Sequence, residues 1–92
     1  MLSIRYTSRY KSSLRQVSRS GSFDMETLKF VIGQLQKKIN LDSRYRDHAL
    51  GGDYTGHREC HIKSDMLLVY KIENNNLVLV LVDIGSHSDL FD

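Results

Sequence analysis

Three histidines and one aspartate fall where side chains could carry out proton transfer. His61 ends one predicted strand, Asp65 begins the next, and His87 follows the last predicted strand. In an antiparallel meander these three positions lie at the same edge of the sheet, so we expect the side chains to be close together. A neutral imidazole can accept or donate a proton near neutral pH, and a pair can do both. The pattern predicts an acid–base site, to which His48 in the preceding loop could contribute a third imidazole.

Other interpretations of these residues have less support. A single histidine is usually a surface or hydrogen-bonded residue, so the prediction depends on the convergence of several side chains. His57 and His61 lie four residues apart, but this spacing on a strand is poor for zinc, and no second cysteine could add a thiolate. Cys60 should point into the core, and Gly51-Gly52 is too short for a phosphate-binding loop. The sequence therefore indicates neither a metal nor a small-molecule cofactor.

The first half of the chain is predicted to form a strand and two helices. Leu2, Ile4 and Tyr6 alternate with polar residues, as in a half-buried strand. The next apolar residues recur at spacings of three and four, which is typical of helices with one buried face. We expect a cap at Ser8 for the first helix and at Asp24 for the second. The predicted buried faces consist of Tyr10, Leu14 and Val17, and of Leu28, Val31, Ile32, Leu35 and Ile39.

The second half is predicted to form three strands and a helical turn. Residues 40–55 are polar and without a hydrophobic period, and long loops of this kind are often functional. Three apolar stretches follow, at residues 57–62, 66–72 and 77–84. Turn-forming residues separate them, which favours an antiparallel meander, and residues 86–91 should form a single helical turn. The expected class is α+β, with the order β-α-α-β-β-β and two N-terminal helices packed on one face of a mainly antiparallel four-stranded sheet.

Length and composition restrict the class of protein. The chain has 92 residues, of which 40% are hydrophobic and 26% charged, as expected for one domain spanning residues 1–92. Its single cysteine cannot form an internal disulfide, which favours a reducing compartment. Its apolar runs are far shorter than the roughly 20 residues of a membrane span. We therefore expect a cytoplasmic protein that does not bind membranes.

Charge is distributed unevenly along the chain. Residues 1–46 contain ten basic and three acidic residues (+7), whereas residues 47–92 contain three basic and eight acidic residues (−5), in agreement with the net +2. A basic segment of this kind suggests a polyanion or an acidic partner protein, although a solvated helix face would have the same charge pattern. The surface expected to face such a polyanion consists of Arg5, Arg9, Lys11, Arg15, Arg19, Lys37 and Lys38.

Three motifs in this chain resemble those of YafQ-type toxins of the RelE/ParE superfamily. They are residues 47–52 (DHALGG), residues 58–65 (RECHIKSD) with LLVY at 67–70, and residues 85–91 (GSHSDLF). The resemblance extends over essentially the whole chain, and the order and spacing of the three motifs make it specific.

The resemblance implies a bacterial toxin of a type II toxin–antitoxin pair. Such a toxin would be an endoribonuclease that cuts mRNA in the ribosomal A site without a metal ion, and its partner would be a cognate antitoxin. The 2′-hydroxyl of the substrate would attack the adjacent phosphate, which leaves a 2′,3′-cyclic phosphate and a 5′-hydroxyl.

The motif match also implies roles for individual residues. His87 would protonate the leaving 5′-oxygen, and His48, His61 and Asp65 would supply the general base and orient the nucleophile. Phe91 would offer an aromatic surface to a base. Arg58 would either hold a phosphate or brace the loop.

The chain departs from the family pattern at two positions. Asp83 lies where these toxins often have an arginine, and Met66 where they commonly have tryptophan or another hydrophobic residue. Arg58 or a basic N-terminal residue could replace the arginine, Asp83 could point away from the site, or activity could be weak. Two further functions therefore stay open: a module that only binds an antitoxin, and a ParE-like toxin of gyrase, which would not need these histidines.

Overall fold

The computed structural model describes residues 1–91, in which three helices accompany a five-stranded sheet. In chain order the elements are β1 (Ser3–Tyr6), α1 (Ser8–Val17), α2 (Met25–Gln36), β2 (His48–Ala49), β3 (Arg58–Lys63), β4 (Met66–Glu73), β5 (Val78–Gly85) and α3 (His87–Phe91). No helix within these residues is long and apolar enough to cross a membrane. The expected α+β class is confirmed, but the strand count of four is wrong by one.

The sheet brings the ends of three strands to one edge. Its strands are ordered β1-β5-β4-β3-β2, with β1 parallel to β5 and every other neighbouring pair antiparallel. In this register His61 lies opposite Leu67, and Leu67 lies opposite Gly85. The predicted meander therefore exists, and it places the end of β3, the start of β4 and the end of β5 side by side.

Helices α1 and α2 cover one face of the sheet. Buried side chains of the two helices pack against buried strand residues, and this cluster includes Tyr10, Leu28, Val31, Leu35, Cys60, Ile62, Leu68, Tyr70, Leu79 and Leu81. Each large apolar side chain that leaves water here stabilises the fold by about 1.5–3 kcal/mol. The periodic apolar positions in the sequence thus predict most of this core.

The starts of the two helices are capped by side chains. The Thr7 hydroxyl oxygen accepts a hydrogen bond from the N–H of Tyr10 at 2.9 Å, so the cap of α1 is Thr7 and not Ser8. Asp24 caps α2 as expected, because its carboxylate accepts from the N–H of Thr27 at 3.0 Å. These bonds satisfy N–H groups that have no partner within a helix.

Helix α2 ends earlier than the apolar pattern predicts. It stops at Gln36, and Lys38 has a left-handed conformation with φ of 60°. A residue in this conformation interrupts the helical period, so Ile39 is not on the buried face and is 45% exposed. The prediction for Ile39 was therefore wrong.

The polar stretch before β3 contains the fifth strand. In β2, His48 pairs with Glu59 and Ala49 pairs with Arg58, and a single 3-10 turn lies on either side, at Ser43–Tyr45 and Gly52–Tyr54. The loop predicted for residues 40–55 was therefore too long, because it includes this strand. A strand of two residues has no hydrophobic period, and its pairing depends on a partner distant in the chain.

The second face of the sheet is only partly covered. Leu67 and Val69 of β4 form a small buried cluster with Leu90 of α3. Leu50 from the loop after β2 and Phe91 pack against this cluster. Helix α3 and the loop after β2 thus meet over the face that is opposite to α1 and α2.

Candidate active site

A cleft of about 260 Å³ lies between the loop after β2 and helix α3. It is lined by His48, Leu50, Gly51, Tyr54, Glu59, His87 and Phe91. Three of the predicted site residues, His48, His87 and Phe91, therefore lie in one cleft. The sequence analysis did not select Glu59, Tyr54 or Leu50 for the site.

His48 is held in a defined tautomer by the backbone. Its Nδ1 lies 2.6 Å from the carbonyl oxygen of Arg46. A carbonyl can only accept a hydrogen bond, so Nδ1 must carry the proton. In the neutral imidazole Nε2 is then free to accept a proton.

Glu59 lies between two histidines. Its Oε1 is 3.6 Å from Nε2 of His48 and 3.8 Å from Nε2 of His61, and the residue is only 5% exposed. A carboxylate in this position stabilises an imidazole that has taken up a proton. Strand alternation places Glu59 on the same face as His61, two residues away, and this signal in the sequence could have identified it.

His61 is near this group but does not line the same cleft. It lines a neighbouring depression of about 360 Å³ beside the Ser43–Tyr45 turn, together with Lys63 and Ser64. Its connection to His48 is through Glu59, whose Oε1 faces both rings. The predicted convergence of His61 with His48 is therefore indirect.

Asp65 contacts the backbone of His87 and not its imidazole. The N–H of His87 donates to Oδ1 of Asp65 at 3.2 Å. Ser86 and Asp89 cap the same turn reciprocally, each accepting with its side chain from the N–H of the other at 3.1 Å. Asp65 also borders a larger, open depression of about 810 Å³, whose lining contains Ser86 but no histidine. In this geometry Asp65 fixes the start of α3.

Arg58 braces the chain just before β2. Its Nε lies 3.3 Å from Oδ1 of Asp47, and the Tyr70 hydroxyl donates to the same oxygen at 2.5 Å. Burial and the bond to Asp47 raise the pKa of Tyr70. Of the two roles that the sequence left open for Arg58, bracing of the loop is the one with a contact in the structure. The brace lies immediately before His48.

Cys60 is not suited to nucleophilic chemistry. It is fully buried in the core beneath α1 and α2, and burial raises the pKa of its thiol to about 12. Thiolate is therefore scarce at neutral pH. Within residues 1–91, no three histidine, cysteine, aspartate or glutamate side chains are grouped in a way that could hold a metal ion.

The basic residues form no part of the cleft lining. Arg15 lies in the last turn of α1, Lys37 and Lys38 follow α2, and all three are exposed. Arg5 and Arg9 form ion pairs with acidic residues of the sheet. The surface predicted to face RNA is therefore separate from the histidine cleft, and two of its seven members are already paired.

Asp83 is turned to a partner outside the cleft. Its Oδ2 is 3.0 Å from Nε of Arg9, and its Oδ1 accepts from the N–H of Ile84 at 2.8 Å. With Arg9 it lines a depression between α1 and α3. Of the three explanations that the sequence left open for Asp83, the structure agrees with the one in which this side chain points away from the site.

Comparisons with known proteins identify the family of this chain. Residues 2–92 match the family model described as "Bacterial toxin of type II toxin-antitoxin system, YafQ". The chain belongs to the YafQ family of type II toxins, and the resemblance inferred from its motifs is confirmed.

Solved and curated relatives cover nearly the full chain. A crystal structure of a metal-bound toxin from Helicobacter pylori is 41% identical, with a TM-score of 0.91 over 99% of this chain and 100% of that one. The mRNA interferase toxin YafQ of Escherichia coli K12 is 29% identical over 96% of this chain and 94% of its own length. YafQ in the E. coli DinJ–YafQ complex has a TM-score of 0.86 at 26% identity, with full coverage of both chains.

Proposed function

We propose that this chain is an mRNA endoribonuclease that acts on the ribosome in the bacterial cytoplasm and is neutralised by a cognate antitoxin. The observation that carries the proposal is the cleft in which His48, beside the buried carboxylate of Glu59, lies with His87. A tautomerically defined imidazole and a second imidazole in one cleft suit a reaction with one proton removed and one donated. The names of the E. coli relatives agree with this activity.

In the proposed reaction His48 is the general base. The 2′-oxygen of the substrate forms a bond to the adjacent phosphorus while its proton passes to Nε2 of His48. The hydrogen bond from Nδ1 to the Arg46 carbonyl keeps the ring oriented during this transfer. Glu59 stabilises the resulting imidazolium, and His61 supports the same carboxylate from its other side.

His87 is the general acid. As the bond between phosphorus and the 5′-oxygen breaks, the His87 imidazolium gives its proton to that oxygen. The products are a 2′,3′-cyclic phosphate and a 5′-hydroxyl, so protons and bonds balance without a metal ion or cofactor. Asp65 serves by fixing the first turn of α3, from which His87 extends.

Phe91 provides an apolar surface for a base next to the cut. Its ring lies 5.2 Å from the ring of His87, one helical turn away. Stacking on an aromatic ring is a common way to hold an unstacked nucleotide. The exposed Arg15, Lys37 and Lys38 contribute long-range attraction to RNA phosphates.

The antitoxin is proposed to cover the basic half of the chain. E. coli YafQ has been solved in complex with DinJ, and the +7 charge of residues 1–46 suits an acidic segment of a partner. Co-expression of the chain with its antitoxin should relieve growth arrest and yield a stable complex on size-exclusion chromatography. Growth arrest that no partner relieves would count against this part of the proposal.

The principal test is the cleavage of a defined mRNA on programmed ribosomes by His87→Ala. Loss of a general acid should reduce the rate by about 10²–10⁴-fold. Ser88→Ala is the matched control, because Ser88 is exposed on the same helix and does not line the cleft. Cleavage at the wild-type rate by His87→Ala would refute the acid–base assignment and favour the antitoxin-binding module.

Two further measurements test metal dependence and the gyrase-directed function. Cleavage should continue in the presence of a metal chelator. This measurement is informative because a relative from H. pylori has been solved in a metal-bound form. Supercoiling by gyrase should be unaffected by the chain. Inhibition of gyrase without mRNA cleavage would favour the ParE-like function.

A further inference from the structure

Helix α3 depends on contacts outside itself for its position. It has five residues, and a helix of this length is not stable alone in water. Its first turn is capped by Ser86 and Asp89 and tied to Asp65, while Leu90 is buried against β4. These contacts fix the start and the buried side of α3. They do not fix the orientation of Phe91 at the end of the helix, which contacts the loop that faces it.

Tyr54 is the aromatic residue of that loop that contacts Phe91. The two rings have centroids 5.4 Å apart and planes at 77°, which is an edge-to-face contact. Phe91 in turn lies 5.2 Å from the ring of His87. A continuous row of aromatic contacts therefore runs from the loop, through Phe91, to the proposed general acid.

The loop holds Tyr54 in a defined position. Its N–H donates to the carbonyl of Gly51 at 3.1 Å, and its own carbonyl accepts from the N–H of His57 at 2.9 Å. The His57 ring also meets the Tyr54 ring edge-on at 5.8 Å. Gly52 and Gly56 have φ of 60° and 91°, a conformation that favours glycine, and they allow the tight path around Tyr54.

We propose that Tyr54 is a positioning residue for His87, which it orients through edge-to-face contact with Phe91. This inference rests on the proposed function, since it concerns the delivery of a proton by His87. Without the Tyr54 ring, Phe91 loses its partner on the loop side, and the imidazole beside it loses a fixed neighbour. In this proposal Tyr54 acts through its ring, which contacts the rings of Phe91 and His57.

The contact of Tyr54 with Phe91, and through it with His87, means that loss of the Tyr54 ring should lower the maximal cleavage rate. Misplacement of a reacting group by about 1 Å can reduce a rate by about 10²-fold. We therefore expect Tyr54→Leu and Tyr54→Met to lower the single-turnover cleavage rate at saturating toxin by about 10–100-fold. Because Phe91 is also proposed to stack on a base, the toxin concentration at half-maximal rate should rise by a smaller factor than the maximal rate falls. Tyr54→Phe retains the ring and should cleave at nearly the wild-type rate.

A control variant and a measurement without substrate complete the experiment. Phe30→Leu also removes one ring of an aromatic pair, with Tyr45, but it lies on α2 and should leave the rate unchanged. In the free protein, the ring-proton NMR signals of His87 should shift in the two aliphatic variants and stay in place in Tyr54→Phe. This measurement distinguishes reorientation of His87 from a general loss of stability.

The outcomes separate this inference from the proposed function. If the aliphatic variants cleave at the wild-type rate or leave the His87 signals unmoved, Tyr54 does not position His87. If they raise the half-saturating concentration at an unchanged maximal rate, the Tyr54 ring serves substrate binding, either directly or through Phe91, and the inference is overturned. Activity of His87→Ala would instead defeat the proposed function itself, whatever Tyr54 does.

Discussion

Glu59→Gln tests the electrostatic role of the carboxylate between the two histidines. Glutamine has nearly the same size, so the substitution removes the charge and keeps the packing of a residue that is 5% exposed. Glu59 Oε1 lies 3.6 and 3.8 Å from the two Nε2 atoms. Two unit charges about 4 Å apart interact by about 1 kcal/mol in water and about 4 kcal/mol at an effective dielectric constant of 20.

The solvent exposure of His48 determines where the interaction energy falls between about 1 and 4 kcal/mol. Half of the His48 side chain is exposed, so screening favours the lower end, about 1–2 kcal/mol. A loss of about 1.4 kcal/mol in the transition state corresponds to a tenfold lower rate. We therefore expect Glu59→Gln to cleave mRNA about tenfold more slowly than the wild type, with little change in ribosome affinity.

The assay is single-turnover cleavage at saturating toxin. Glu73→Gln is the matched control, since Glu73 pairs with Arg5 and Lys71 on the sheet and does not line the cleft. A wild-type rate for Glu59→Gln would show that the carboxylate is only structural.

Three further predictions concern the surface, the core and position 83. Association with ribosomes should weaken steeply between about 50 and 200 mM salt. If the Lys38 side chain contacts a phosphate, Lys38→Ala should reduce the slope of log affinity against log salt concentration by about 1. Burial raises the pKa of Tyr10 to about 12 and also raises that of Tyr70, whereas an unfolded tyrosine ionises near 10. Stability should therefore be fully present below about pH 10 and decline as pH rises beyond it, as urea unfolding would reveal, and a flat response would exclude this linkage. Asp83→Arg should lower the free energy of unfolding by about 1–3 kcal/mol, because it places a second cation beside Arg9. Adding Arg9→Asp to this variant reverses the ion pair and should restore part of the lost stability.

Local periodicity explains why most of the fold could be predicted. Tyr10, Leu14 and Val17 recur at helical spacing, and all three pack in the main core. Strand β2 could not be predicted in this way, because two residues have no period. It exists through pairing with β3, which lies about ten residues further along the chain. The end of α2 was missed because a left-handed Lys38 is uncommon for a non-glycine residue.

The sequence predicts which strand ends meet at the candidate site, but it does not predict which side chains contact one another there. The meander brings His61, Asp65 and His87 to one edge, as predicted. At atomic distances, however, Asp65 contacts a backbone N–H, and the buried acid between two imidazoles is Glu59. Tyr54 was not predicted because its position depends on a tight turn whose shape follows from the whole loop.

The environment of Asp83 explains how an acid fits a position where related toxins often have an arginine. Its carboxylate is paired with the guanidinium of Arg9, and neither side chain lines the cleft. A close pair of opposite charges has almost no net charge, so it exerts a much weaker field on a phosphate in the cleft than an unpaired carboxylate would. By the same reasoning, a His48 imidazolium beside the Glu59 carboxylate adds little net charge, so in the proposed reaction the positive charge at the phosphate comes from the His87 imidazolium. The aspartate at position 83 is therefore compatible with the proposed reaction, in which His87 supplies the positive charge.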